Sequence, residues 1–125
     1  MNVRLIASLA AVLALAVTGA AYGATTTSHV VKKPIKITVT LRDYSFTFSR
    51  KSVPKGSTVI FTVVNKGATG HNMDLVGTGK RTAILAPGKS AKLTVKFPAK
   101  KTIQVVCDVP RHIQLGMVSS FKVIA

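Results

Sequence analysis

The chain reads as an all-β protein, a Greek-key sandwich of two sheets built from about seven or eight short strands. Three observations predict it. Apolar and polar residues alternate with a period of two in segment after segment, turns bearing Pro and Gly separate those segments, and no amphipathic helix of useful length follows residue 24. With 125 residues, 47% of them hydrophobic, there is room for one modest core and none for a second catalytic domain.

Residues 1–23 form the first unit. A single Arg4 precedes an almost wholly apolar run, and Ala21, Tyr22 and Gly23 supply small residues around a cleavage position, the pattern of a secretory signal peptide. The uncharged stretch from 5 to 24 is also about long enough to span a bilayer, so an uncleaved anchor is the alternative. No cysteine near its end is available to carry a lipid. Residues 24–34 are polar and unpatterned, a flexible leader; His29 within it reads as a solvated tail histidine. The domain proper is expected over 35–125.

Its elements follow in order. Ile35, Ile37, Val39 and Leu41 alternate with Lys36, Thr38, Thr40 and Arg42, a strand with one buried face. Tyr44, Phe46 and Phe48 alternate with Ser45, Thr47 and Ser49. The sequence V-P-K-G-S at 53–57 then supplies a turn before a strand over 58–65. The stretch 77–85 is expected to hold a short turn of helix. After the A-P-G-K turn at 86–89, Leu93, Val95 and Phe97 resume the alternation; Ile103, Val105 and Cys107 continue it, and the last strand runs over 117–124.

Cys107 stands alone, so an exported chain cannot use it for an internal disulfide. An intermolecular bridge or an inert buried thiol would be the ordinary explanation of an odd cysteine. The neighbours argue otherwise: His112 and Met117 follow it in C-D-V-P-R-H-I-Q-L-G-M, and His71 lies upstream in G-H-N-M-D-L. Two imidazoles, a thiolate and a weak thioether make the donor set of a mononuclear copper site, because soft sulfur favours Cu(I) while imidazole also holds Cu(II). Zinc fits less well, since methionine is a poor zinc ligand.

Strand parity supports the set. Cys107 shares its face with Ile103 and Val105, Met117 with Phe121 and Val123, and His71 with Met73 and Leu75. Each candidate ligand therefore faces inward at a strand end, at one pole of the sandwich. Pro110 stiffens the connection from Cys107 to Met117, and Gly116 allows a tight turn before the last strand. Gly67 and Gly70 flank the approach to His71. The Gly70 carbonyl is a candidate weak axial donor, the plainer reading being a turn.

These residues resemble those of the small blue, type 1 copper proteins of the cupredoxin family. G-H-N from Gly70 is similar to the first-histidine motif of azurins, and C-x-x-P-x-H-x-x-x-G-M from Cys107 to the ligand loop of azurin- and auracyanin-like members. The resemblance covers essentially all of 35–125. It implies His71, Cys107 and His112 as trigonal ligands of one copper ion per chain and Met117 as the long axial one. It also implies that Asn72 ties the two ligand loops together by hydrogen bonds. Two departures stand out: four residues, where azurins have three, separate His112 from Met117, and Arg111 occupies a position where glycine is common.

The function expected is one-electron transfer through Cu(I)/Cu(II), with His112 as the port and Val109, Pro110, Ile113 and Leu115 as an apolar contact patch. The alternative is a copper carrier or sequestration module with no part in electron flow. No catalytic residue is assigned and no enzyme is expected, since Asp43, Asp74 and Asp108 are scattered along the chain. The net charge is +15; removing 1–23, with its one arginine, leaves 17 basic and 3 acidic residues, or +14. Such a field favours a redox partner with an acidic docking surface, or an anionic membrane or cell-wall surface. Nucleic acid is not expected, because the chain carries an export signal and lacks basic-aromatic stacking motifs. The protein is expected to be a monomer in the periplasm, outside the cell or at the cell envelope, tethered if the signal stays.

Overall fold

In a computed structural model of the chain, which describes Gly19 and residues 23–125, the first alternating segment becomes β1 (Ile35–Arg42). Its Ile37, Val39 and Leu41 are buried, and β2 (Ser45–Phe48) returns antiparallel beside it. β3 (Ser52–Pro54) is followed, after Lys55 and Gly56, by β4 (Ser57–Asn65), where Val59, Phe61 and Val63 point inward. β5 (Asp74–Leu75) and β6 (Lys80–Arg81) make a small hairpin. β7 (Ser90–Phe97), β8 (Lys101–Val106) and β9 (Val118–Ile124) complete the series.

The strands form two sheets, one ordered β2-β1-β4-β7 and the other β3-β9-β8-β5-β6. β1 pairs with β4, and β3 with β9, in parallel. The all-β sandwich expected from the alternation is therefore present. Side chains from both inner faces meet in one core that includes Val39, Leu41, Phe61, Leu75, Val105 and Phe121. That core runs without a break into Met73, Cys107 and Met117 at one pole.

Three details differ from the sequence expectation. Nine strands lie among the described residues, because V-P at 53–54 is not simply part of a turn: it belongs to β3, which pairs with β9 through Val53 and Val123. The turn proper is Lys55–Gly56, with Gly56 at φ 80. Residues 77–85 hold no turn of helix. Gly77 and Gly79 both have positive φ, at 79 and 70, which a right-handed helix cannot accommodate, and the chain instead turns between β5 and β6. The last strand begins one residue late, at Val118, leaving Met117 at its threshold.

The expected signal segment lies outside the described residues apart from Gly19 and Gly23. No helix among the described residues is long and apolar enough to cross a membrane. Residues 24–34 carry no regular structure, and His29 lies beside Gly56, Thr58 and Lys96, at the opposite end of β4 from the pole that holds Cys107.

Candidate metal centre

Three connections converge at that pole. The first, between β4 and β5, carries His71. Asn65, wholly buried at the end of β4, shapes it: its Nδ2 donates to the carbonyls of Thr69 at 2.8 Å and Leu85 at 2.7 Å, while its Oδ1 accepts the Gly67 N–H at 2.9 Å. His71 then exchanges backbone hydrogen bonds with Leu85, which holds the buried ring against the core. A buried asparagine bridging three backbone groups is costly to replace, since each would be left unpaired.

The second connection, between β8 and β9, carries Cys107, His112 and Met117. Its backbone resolves into two standard turns. Val109 to His112 forms a β-turn closed by the His112 N–H on the Val109 carbonyl at 3.0 Å, with Pro110 at the second position and Arg111 at the third. Arg111 has φ 71, the left-handed conformation that a type II turn demands there. This explains why glycine suits the position.

The helical turn that follows ends in a Schellman motif. The Met117 N–H bonds to the His112 carbonyl at 3.0 Å and the Gly116 N–H to the Ile113 carbonyl at 2.9 Å, with Gly116 at φ 94. Four residues between His112 and Met117 are the number this motif requires. The Cys107 N–H reaches the Met117 carbonyl at 3.3 Å, so the three side chains are linked through their own backbone.

His71, Cys107 and His112 come together, all buried. His71 Nδ1 and His112 Nδ1 are 3.1 Å apart, Cys107 Sγ is 3.4 Å from His112 Nδ1 and 3.9 Å from His71 Nδ1. A point equidistant from these three atoms lies about 2.0 Å from each, close to transition-metal bonds of about 2.0–2.1 Å to imidazole and about 2.3 Å to thiolate. Met117 is wholly buried beside this cluster in the same core. Gly70 adjoins Ile84, whose Cγ2 a Cβ at Gly70 would approach to 3.0 Å.

Asn72 joins the two connections. Its Nδ2 donates to Asp108 Oδ1 at 2.6 Å, and its Oδ1 accepts the Asp108 N–H at 2.9 Å. This fastens the residue after His71 to the residue after Cys107. Asp108 also receives Arg81 at 3.0 Å, an exposed pair of little energetic weight.

The third connection escaped the sequence reading. The β1–β2 turn brings Asp43 to His71 Nε2 and sets Tyr44 edge-on to both imidazoles, with ring centroids 4.9 Å from His112 and 6.1 Å from His71. Two of the three acids thus gather at the pole; nothing in their spacing marked them, because the contacts span 28 and 36 residues. Asp43 is lowered to about 2, chiefly by the Ala68 amide, then by His71, with Thr69 adding to the effect and partial desolvation opposing it. Burial pushes His112 below its ordinary 6.5; His71 adds to this, and Asp43 opposes it.

Both shifts make the metal-free protein acid-sensitive. A group whose pKa is lower folded than unfolded binds protons preferentially in the unfolded state. Stability is expected to decline as pH falls below 6.5, through His112, and to decline again from 3.8 toward about 2, through Asp43. Urea midpoints measured against pH in the presence of a chelator check this; a midpoint flat from pH 7 to 5 would contradict the His112 part.

A family model described as a cupredoxin-like domain matches residues 5–118. The chain belongs to the cupredoxin-like family. Among solved structures it is similar to auracyanin B, with TM-score 0.62 and 21% identity, covering 77% of this chain and 94% of that one. Dithionite-reduced auracyanin of the photosynthetic bacterium Roseiflexus castenholzii gives TM-score 0.59 and 22% identity, over 75% and 98%. The periplasmic domain of cytochrome oxidase subunit II of Bradyrhizobium japonicum gives 0.62 and 13%, over 74% and 86%. A search of curated proteins returned no match. Family and donor set together define the cofactor as copper, one ion per chain, and the cluster fits a type 1 site.

Proposed function

We propose that the protein is an exported one-electron carrier in which His71, Cys107, His112 and Met117 would hold copper, with the Gly70 carbonyl as a further weak donor. Bound copper supplies a centre that alternates between Cu(I) and Cu(II). The observation that carries the reading is the burial of the donors inside a framework already cross-linked by Asn65, Asn72 and the Schellman turn. A site so constrained holds one geometry for both oxidation states, which suits electron transfer. It is poorly suited to releasing the ion, which counts against a delivery role.

His112 provides the route outward. It is 7% exposed, and Pro110, Ile113 and Leu115 on its own loop are exposed around it. Ile84, 61% exposed and in contact range of Gly70, extends the apolar surface; Val109 instead packs toward the core. Arg111 stands at the rim of this patch in a chain of net charge +15, so the partner that fits is a redox protein with an acidic surface. A location outside the cytoplasm, free or tethered, accords with the apolar run over 5–24 and with the auracyanin and periplasmic neighbours; a monomer is part of the same proposal. Among the described residues this is the only group of three or more His, Cys, Asp or Glu side chains placed to hold a metal.

The test is reversible redox cycling of the copper-loaded protein, followed by reduction kinetics with an acidic electron donor. A protein that binds copper but cannot be cycled would overturn the carrier reading in favour of sequestration. In the same assay Arg111→Gly is expected to slow bimolecular reduction severalfold at low salt, with the difference vanishing at high salt. Its effect on stability should stay within about 1 kcal/mol, because relief of the left-handed arginine is offset by the greater unfolded-state entropy of glycine.

A further inference from the structure

Asp43 belongs to a turn that contributes no metal donor, yet its carboxylate meets the buried end of the donor cluster. Oδ1 accepts the Nε2–H of His71; Thr69 Oγ1 donates to the same oxygen at 3.0 Å, and the Ala68 N–H donates to Oδ2 at 2.9 Å. A neutral imidazole has one N–H and one lone pair. With the proton on Nε2 facing the carboxylate, the lone pair is left on Nδ1, the atom that faces His112 Nδ1 and Cys107 Sγ. The other polar atom near Nε2, Thr69 Oγ1, is a neutral acceptor at 3.4 Å and therefore the weaker partner.

Gly67 seals this contact. A Cβ there would lie 2.5 Å from Asp43 Oδ1 and 2.7 Å from His71 Nε2, so the backbone passes where only a hydrogen atom fits. The sequence gives no hint of this packing, since Gly67 looks like any loop glycine. The Asp43 side chain keeps 27% exposure, and its carboxylate is bonded by Ala68, Thr69 and His71, all of the loop whose histidine it holds.

We propose that Asp43 is a positioning residue for the copper centre: it fixes the His71 tautomer that presents Nδ1 to the metal, and through its charge it lowers the reduction potential. The second part rests on the copper reading above. An ionised carboxylate accepting the far N–H makes the ligating nitrogen more basic, which favours Cu(II) over Cu(I). A neutral acceptor in the same place would position the ring without that bias.

Asp43→Asn and Asp43→Ala separate the two roles. In Asp43→Asn the amide oxygen can still accept from Nε2, so the tautomer should survive while the potential rises. A tenfold fall in the ratio of Cu(II) to Cu(I) affinity, at the lower end of what an outer partner is worth, corresponds to about 59 mV. In Asp43→Ala, nitrogen-15 NMR of the metal-free full chain should show His71 losing its single Nε2–H tautomer. An unmoved potential in Asp43→Asn overturns the charge role, and an unmoved tautomer in Asp43→Ala overturns the positioning role. Should the alanine variant fail to fold, the wild-type spectrum decides: a His71 proton found on Nδ1, or shared between the two nitrogens, overturns the positioning role. The tautomer is read without copper, so a colourless wild type whose tautomer still depends on Asp43 would reject the copper carrier and leave the positioning role standing.

Discussion

Cys107→Ser is expected to abolish the intense blue thiolate-to-copper absorption that Cu(II) should produce in the wild-type protein. The serine hydroxyl stays protonated at neutral pH and is a hard donor, whereas the site offers a buried sulfur 3.4 Å and 3.9 Å from two imidazole nitrogens. Copper affinity should fall by well over the 10–100-fold typical of losing an outer hydrogen-bond partner. Titration with Cu(II), followed by absorbance and by competition with a chelator, measures both effects. A serine variant that keeps the band, or a wild type that never develops it, would sink the blue-site assignment. The metal-free fold should change little, because one small buried side chain replaces another.

The largest stability loss is expected from Phe121→Ala. Phe121 is wholly buried in β9, with ring centroids 5.4 Å from Phe61, 5.6 Å from Phe97 and 6.1 Å from Phe48. Removing a ring from such a cluster costs about 3–5 kcal/mol, against a total of about 5–15 kcal/mol for an ordinary domain. Since Met117 lies four positions earlier, beside the same core, disorder there should weaken metal binding as well. Conversely, a metal held a thousandfold above its dissociation constant restores about 4 kcal/mol. Urea denaturation with and without copper checks both; a metal-free loss under about 1 kcal/mol would mean that the aromatic cluster closes over the gap.

Much of this architecture was legible because one face of each long strand is buried. The alternation in β1, β7 and β8 placed Cys107 inward, and the same parity placed Met117 beneath β9. Spacing in the last loop pointed to a compact ring of donors, and the Schellman motif supplies the reason for four residues before Met117. The resemblance implied that His71 and Asn72 reach the loop after Cys107, but the contacts of the β1–β2 turn were not legible. Asp43 and Tyr44 reach the site only because β1 lies beside β4, a parallel pairing that no local pattern announces. The short turn of helix expected over 77–85 is absent because Gly77 and Gly79 adopt positive φ, which the local pattern does not announce.

The position of β9 also governs how the molecule comes into being. This last strand is not an edge: it lies between β3 and β8, and its parallel partner β3 is some seventy residues earlier. Neither the five-stranded sheet nor the methionine at the head of β9 can take its place until the chain has been synthesised through residue 124. Folding dominated by such distant pairings is slow, because loop closure precedes the contacts that reward it. The native sheets should therefore close only once β9 has inserted, and the metal should bind only after that step.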